Sequence, residues 1–277
     1  MKKYTAILLL LLSATCTLAQ NKEKIKGSKT VTVAPKIVAD FNAIEVEDNI
    51  ELYLDRGEKN EIKIEADDNL HEIIAFDSRD KILRIYTLKE ATNFKKLIVR
   101  VTYTRDLNSI TSKNKAIVNA IQEIQLDDIT FKAHDFSQLY MNVNSKNFLL
   151  QCDDKSKTEL NLKSENATIE LSKNATLKAL VNTVNLKCDL YEKSNANLEG
   201  EATNANIRLD NNSNLTANKL TLKNADITTE SYSTCSIFAE TTLIIDAADK
   251  SEIQLLGNPK IEIRRFNDEA KLLKKLK

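Results

Sequence analysis

The sequence predicts an all-β protein, a β-helix-like solenoid with coils of about 19 residues, an N-terminal β cap and a short C-terminal tail. Three observations predict it. The first is a period: Ser137, Ser156, Ala175, Ser194, Ser213, Ser233 and Ser251 follow one another at intervals of 19, 19, 19, 19, 20 and 18 residues. A fixed interval of this length marks stacked repeats in which each coil contacts only its neighbours. The second is an alternation: the positions eight, six and four before each anchor are apolar in every coil, Thr229 excepted. Alternating apolar residues make a strand with one buried face. The third is a column of short amides in a chain with only four glycines and two prolines.

From the N-terminus, Lys2 and Lys3 precede an apolar run, Ala6 to Leu12, and Thr17-Leu18-Ala19 supplies small residues at cleavage positions. Residues 1–19 read as a secretory signal peptide, the run being too short to span a bilayer. Lipidation of Cys16 is a second reading, although Ser13-Ala14-Thr15 lacks the leucine of a lipoprotein signal. Either route delivers an exported chain, to the periplasm, outer membrane or cell surface. Residues 20–36 are polar and read as a flexible leader.

Residues 37–265 read as one domain, since no Pro-, Gly- or Ser-rich linker interrupts them. Its opening is β without a repeat. Ile44, Val46, Ile50, Leu52 and Leu54 alternate, then Ile62, Ile64 and Ala66, then Leu83 and Ile85, then Leu97, Val99 and Val101. Asp55–Asn60, with Gly57, reads as a hairpin turn between two of these strands. Ile110, Val118 and Ala120 then fit a first coil around Ala116.

In the coils that follow, inward triplets run from Ile129, Phe131 and Ala133 to Leu243, Ile245 and Ala247. A second short strand follows each anchor, with inward pairs such as Leu139/Met141 and Leu177/Ala179. Nine residues before the anchors stand Asp128, Asn147, Asn166, Asn185, Asn204, Asn224 and Thr242. Asparagine tolerates the left-handed conformation of a sharp turn. Stacked at a strand spacing of roughly 4.8 Å, these amides predict a ladder of mutual hydrogen bonds. Gly257-Asn258-Pro259 ends the pattern, Ile261 and Ile263 suggest a last strand, and the basic tail 266–277 reads as a capping helix or a frayed end. A membrane-surface helix is the other reading of that tail.

Forty basic and forty acidic side chains balance, and tryptophan is absent. No basic stripe points to nucleic acid. Cys152, Cys188 and Cys235 fall on inward positions too far apart for a bridge, and read as small apolar residues. With two histidines and no CxxC pair, no metal site and no cofactor is expected. Glu170, Asp189 and Arg208 stack on consecutive coils in one outward column. Charges alternate in this way on a solvated sheet. The second reading is catalytic, because stacked carboxylates beside a basic residue suit cation-assisted cleavage of an acidic polysaccharide.

The order of Phe41, Ile44, Val46, Ile50, Leu52 and Leu54, then Asp68-Asn69-Leu70, Leu83-x-Ile85, Val99-x-Val101 and Leu107-x-x-Ile110, resembles the opening of the head GIN domain. Gly257-Asn258-Pro259 is similar to the Gly-x-Pro that ends the family's coils. That family is described as auto-transporter adhesins and is common in exported proteins of Bacteroidetes. The resemblance implies a right-handed parallel β-helix-like fold and brings no catalytic residues with it. Two functions follow as expectations. One is a non-enzymatic envelope or surface module that binds an envelope protein or glycan, with or without a lipid anchor and with no transmembrane helix. The alternative is a polysaccharide-active enzyme using the acidic face.

Overall fold

Alternating apolar residues become strands, and the strands stack into a solenoid of about nine turns in this computed structural model, which describes residues 22–276. The signal-peptide reading and Cys16 lie outside the described residues. The chain enters through β1 (Lys24–Lys26) and β2 (Val31–Lys36), then makes two sides of a coil with β3 (Ala43–Val46) and β4 (Glu51–Arg56). It steps outward through β5 (Glu61–Asp67), a 3-10 helix at Asp68–Ile73, β6 (Ile74–Arg79), β7 (Ile82–Thr87), β8 (Glu90–Thr92) and β9 (Leu97–Tyr103). β7 lies parallel on β3 and β9 parallel on β4, forming the outermost coil. Antiparallel strands then close that end: β6 on β7, β5 on β9 and β2 on β5. Leu70, Leu83, Ile85, Val99 and Val101 are buried there.

The chain next crosses to the other side of the first coil. β10 (Ser109–Ser112) pairs with β3, and the start of β11 (Ile117–Ala133) pairs with β4. Six long strands follow in order: β12 (Gln138–Cys152), β13 (Lys157–Leu171), β14 (Thr176–Leu190), β15 (Asn195–Leu209), β16 (Asn214–Thr229) and β17 (Thr234–Ala247). Each is parallel to the next, so Ile169 lies between Leu150 and Cys188. β18 (Glu252–Leu256), β19 (Lys260–Phe266) and β20 (Lys271–Lys274) complete the stack on β17 and β18.

The inward triplets and pairs are buried in every coil, Thr229 included, whose hydroxyl bonds to Ser251. A further inward column, six residues after the anchor, holds Val143, Leu162 and Val181. It lengthens the strand that the sequence suggested was short. Gly200 continues this column with φ 111°, and a Cβ there would stand 2.3 Å from the Val181 carbonyl oxygen. The anchor serines point into the core, all at 1% exposure or less. Ser137 Oγ donates to Ser112 O and Ser213 Oγ to Leu190 O, while the Ser194 hydroxyl has no partner. Cys152, Cys188 and Cys235 are free and buried, and burial pushes the Cys152 and Cys188 thiols up to about 12.

Four expectations need correction. Residues 24–36 are not a flexible leader, because β1 pairs with β8 and β2 with β5. Asp67, fully buried, accepts backbone N–H bonds from Lys29 at 2.8 Å, Lys95 at 3.0 Å and Lys96 at 3.0 Å, which pins the segment down. Asp55–Asn60 does not close a hairpin, since β9 lies between β4 and β5, parallel to the first and antiparallel to the second. The left-handed turns fall one and two residues before the anchors, as at Asp154/Lys155 and Glu192/Lys193, not at the asparagine column. At the asparagines the ladder instead skips one residue: Ser145 and Phe148 both point inward with Lys146 and Asn147 outside, so the strand turns a corner. Finally, Lys271–Lys274 is a strand, not a helix, because Leu272 falls in register on Ile253 and the backbone pairs with β18.

Candidate functional site

The outward columns five and three residues before each anchor form one face of the solenoid. Register makes Glu170 the neighbour of Asp189, and Asp189 the neighbour of Arg208. The side chains nevertheless turn to other partners. Glu170 accepts a bond from Gln151 Nε2 at 2.8 Å. Asp189 pairs with Lys187 on its own strand at 2.9 Å, and that bond raises the lysine's pKa. Arg208 lies 5.8 Å from the centre of the Tyr191 ring and 3.7 Å from Glu230. Burial and then the Asp189 charge raise the Tyr191 phenol.

The face ends in a bifurcated arginine. Arg265 reaches Asp246 and Glu230, both at 2.5 Å, and these hydrogen bonds raise its pKa. Arg264 beside it reaches Asp226 at 3.0 Å. At the other end His134 Nδ1 meets Asp153 at 2.7 Å. The face therefore carries charge-assisted bonds both between coils, as at Gln151–Glu170 and Arg265–Asp246, and within a strand, as at Lys187–Asp189. Two of its carboxylates, Asp246 and Glu230, converge on Arg265, and no group of three His, Cys, Asp or Glu side chains among the described residues could hold a metal.

The asparagines stand on a different edge. Asn166 donates to Asn147 at 2.9 Å, Asn185 to Asn166 at 2.9 Å, Asn204 to Asn185 at 3.0 Å and Asn224 to Asn204 at 3.2 Å. Asn147 donates to Asp128 at one end, and Thr242 to Asn224 at the other. Each amide uses its oxygen and nitrogen along the axis.

A third feature escaped the reading of the sequence. An open groove of about 570 Å³ crosses five coils, mostly on the outward positions three and five after the anchors. Tyr140, Asn142, Asn161 and Leu180 line it, with Ile121 at one end and Glu199 at the other. Ile121 is 71% exposed because β11 carries extra residues between Ala120 and Ile124. The signal was available: Ala116 and Ser137 are 21 residues apart, two more than the period. A second hollow, about 1030 Å³, lies among the loops beside the N-terminal cap, rimmed by Arg56, Lys59, Lys81 and Arg105 with Asp40, Glu58 and Asp106. No helix among the described residues is long and apolar enough to cross a membrane.

No curated protein matches this chain. Among solved structures, an adhesin described as putative from Parabacteroides merdae aligns with TM-score 0.67 at 18% identity, covering 91% of this chain and 99% of that one. A second, from Parabacteroides distasonis, gives 0.65 at 18%, covering 90% and 99%. A protein from the same organism named as a putative lipid binding protein gives 0.60 at 12%, covering 92% and 98%. At these identities the likenesses show the fold. The model of the family described as "Putative auto-transporter adhesin, head GIN domain" matches residues 40–180 and 157–259, and the chain belongs to that family.

Proposed function

We propose that this protein is an exported, non-enzymatic binding module that holds an extended partner, a glycan or an envelope protein, along its lateral surface. The observation that carries the reading is the groove between Ile121 and Glu199. It repeats similar outward positions over five coils and offers an aromatic ring, side-chain amides and exposed apolar carbons together. Stacked repeats present such extended surfaces to linear partners. The charged face supports the same reading from the opposite direction, because its carboxylates are already engaged: Glu170 by Gln151, Asp189 by Lys187, and Glu230 and Asp246 by Arg265.

The test is binding of defined polysaccharides and purified envelope proteins to the immobilised chain, with polysaccharide length measured in parallel. The reading predicts a ligand whose affinity falls about tenfold or more in Tyr140→Ala or Leu180→Asp, the loss of roughly 1.4 kcal/mol. Polysaccharide length should stay constant. Shortening of a polysaccharide by the wild type that Glu170→Gln abolishes would replace this reading with the enzymatic one.

A further inference from the structure

The two ends of the solenoid differ. At the N-terminal end antiparallel strands and the 3-10 helix cover the core columns. At the other end nothing among the described residues lies on them. Ile261, Ile263 and Phe266 continue the columns of Leu243, Ile245 and Ala247. Those three are fully buried, yet their successors are 42%, 53% and 38% exposed. β19 also pairs on one side only, leaving a free edge of N–H and C=O groups beside an apolar face. Such an edge is a template for another strand.

We propose that a second copy of this chain occupies this end through a two-fold contact in which β19 pairs antiparallel with β19 of its mate. The strand is self-complementary in that arrangement. Centred on Ile263, the pairing sets Ile263 against itself. β19 carries one extra residue, Arg264, relative to β17, so Arg264 and Arg265 together count as one outward position. Glu262 then faces that arginine pair, and inward Ile261 faces inward Phe266. The two-against-one match is the geometry a bulge makes. Apolar meets apolar on the core side, and outside Glu262 meets arginines that also hold Asp226, Asp246 and Glu230 of their own chain. A head-to-tail stack has no such match, because the N-terminal end is closed by β2, β5 and β6. A two-fold contact closes on itself. This inference does not rest on the proposed binding function.

The test is the mass of the full chain in solution by sedimentation or light scattering, from about 1 to 100 μM, a span on either side of ordinary dimer affinities. A dimer is expected. Ile263→Lys changes a position exposed in the single chain, so it should keep the wild-type circular dichroism while its dimerisation weakens at least tenfold, and its melting temperature should lose the dependence on protein concentration that dimerisation gives the wild type. A second measurement fixes the geometry. In a Cys16→Ser background, whose other thiols are buried, Ile263→Cys should form a disulfide-linked dimer on mild oxidation, because residues directly opposite in an antiparallel pair lie within disulfide reach. Ile261→Cys alone should not. A monomer throughout the range, a dimer that Ile263→Lys leaves intact, or no cross-link in the Ile263→Cys variant would each overturn the proposal. So would a monomer whose end instead binds phosphatidylglycerol vesicles and loses that binding in Ile263→Lys.

Discussion

At the residue scale, the anchor column and one buried carboxylate show how single groups are set by what they can bond. Ser137 and Ser194 occupy equivalent buried positions, but only Ser137 has an acceptor, at 3.1 Å. A buried hydroxyl without a partner costs free energy, while a bonded one contributes about 1 kcal/mol. Ser194→Ala is therefore expected to leave stability unchanged or raise it by about 1 kcal/mol, and Ser137→Ala to lower it by a similar amount. Denaturant unfolding checks both, and Ala175 shows that the column accepts alanine. For Asp67, burial by itself would raise the carboxyl's pKa, but the backbone N–H groups of Lys96, Lys29 and Lys95 outweigh it and the pKa is lowered. A depressed folded pKa means that the stabilisation is full above the unfolded value of roughly 3.9 and is lost as pH falls through the lower folded value. Hydrogen exchange should show the Lys29 amide losing protection across that acid window. In Asp67→Asn it should be weakly protected at neutral pH, with no acid step. An unchanged Lys29 amide in Asp67→Asn would mean that other contacts hold β1 and β2.

At the element scale, the coil is a strand with corners, and its inward and outward registers carry different free energies. Ile169 is fully buried between Leu150 and Cys188, and Glu170 beside it faces outward. Ile169→Asp is expected to unfold or aggregate the protein, since an unpaired buried charge costs several kcal/mol out of roughly 5–15. Glu170→Ala gives up one bond from Gln151 and should shift stability by about 0.5–1 kcal/mol. Equal effects on thermal unfolding would contradict the register. This register was legible because a column position repeats its neighbours, so seven coils vote on each assignment. Single-copy features had no such vote. The hairpin at Asp55–Asn60 was misread because a turn's composition does not say that β9 will insert between its strands. Leader and tail were misread because β1, β2 and β20 gain their order from distant partners, Asp67 and Ile253 among them. The turns were placed on the asparagine column, yet the left-handed residues include Phe136, Ser231 and Tyr232, whose types do not announce such a turn.

At the scale of the whole molecule, a closed N-terminal cap, a continuous core and parallel outward columns make a rod that displays repeated surface. The charged column was visible in the sequence, but its chemistry was not. Spacing places Glu170, Asp189 and Arg208 one above another, while side-chain partners such as Gln151, Lys187 and Tyr191 decide where the charges go. The outward residues of the groove differ from coil to coil, so its one trace in the sequence was the 21-residue interval from Ala116 to Ser137. The central claim is that this rod binds through its surface and that the charges of its acidic column are satisfied within the protein. Its most direct test is the melting temperature of the wild type and of the Glu170→Ser, Asp189→Ser, Arg208→Ser triple variant, with and without millimolar calcium. A ligand that binds only the folded state raises its melting temperature by mass action, whereas partly exposed ion pairs contribute about 0–1 kcal/mol each. The account predicts no shift with calcium and at most a few degrees between the two proteins. A calcium-dependent rise in the wild type that vanishes in the triple variant would contradict it.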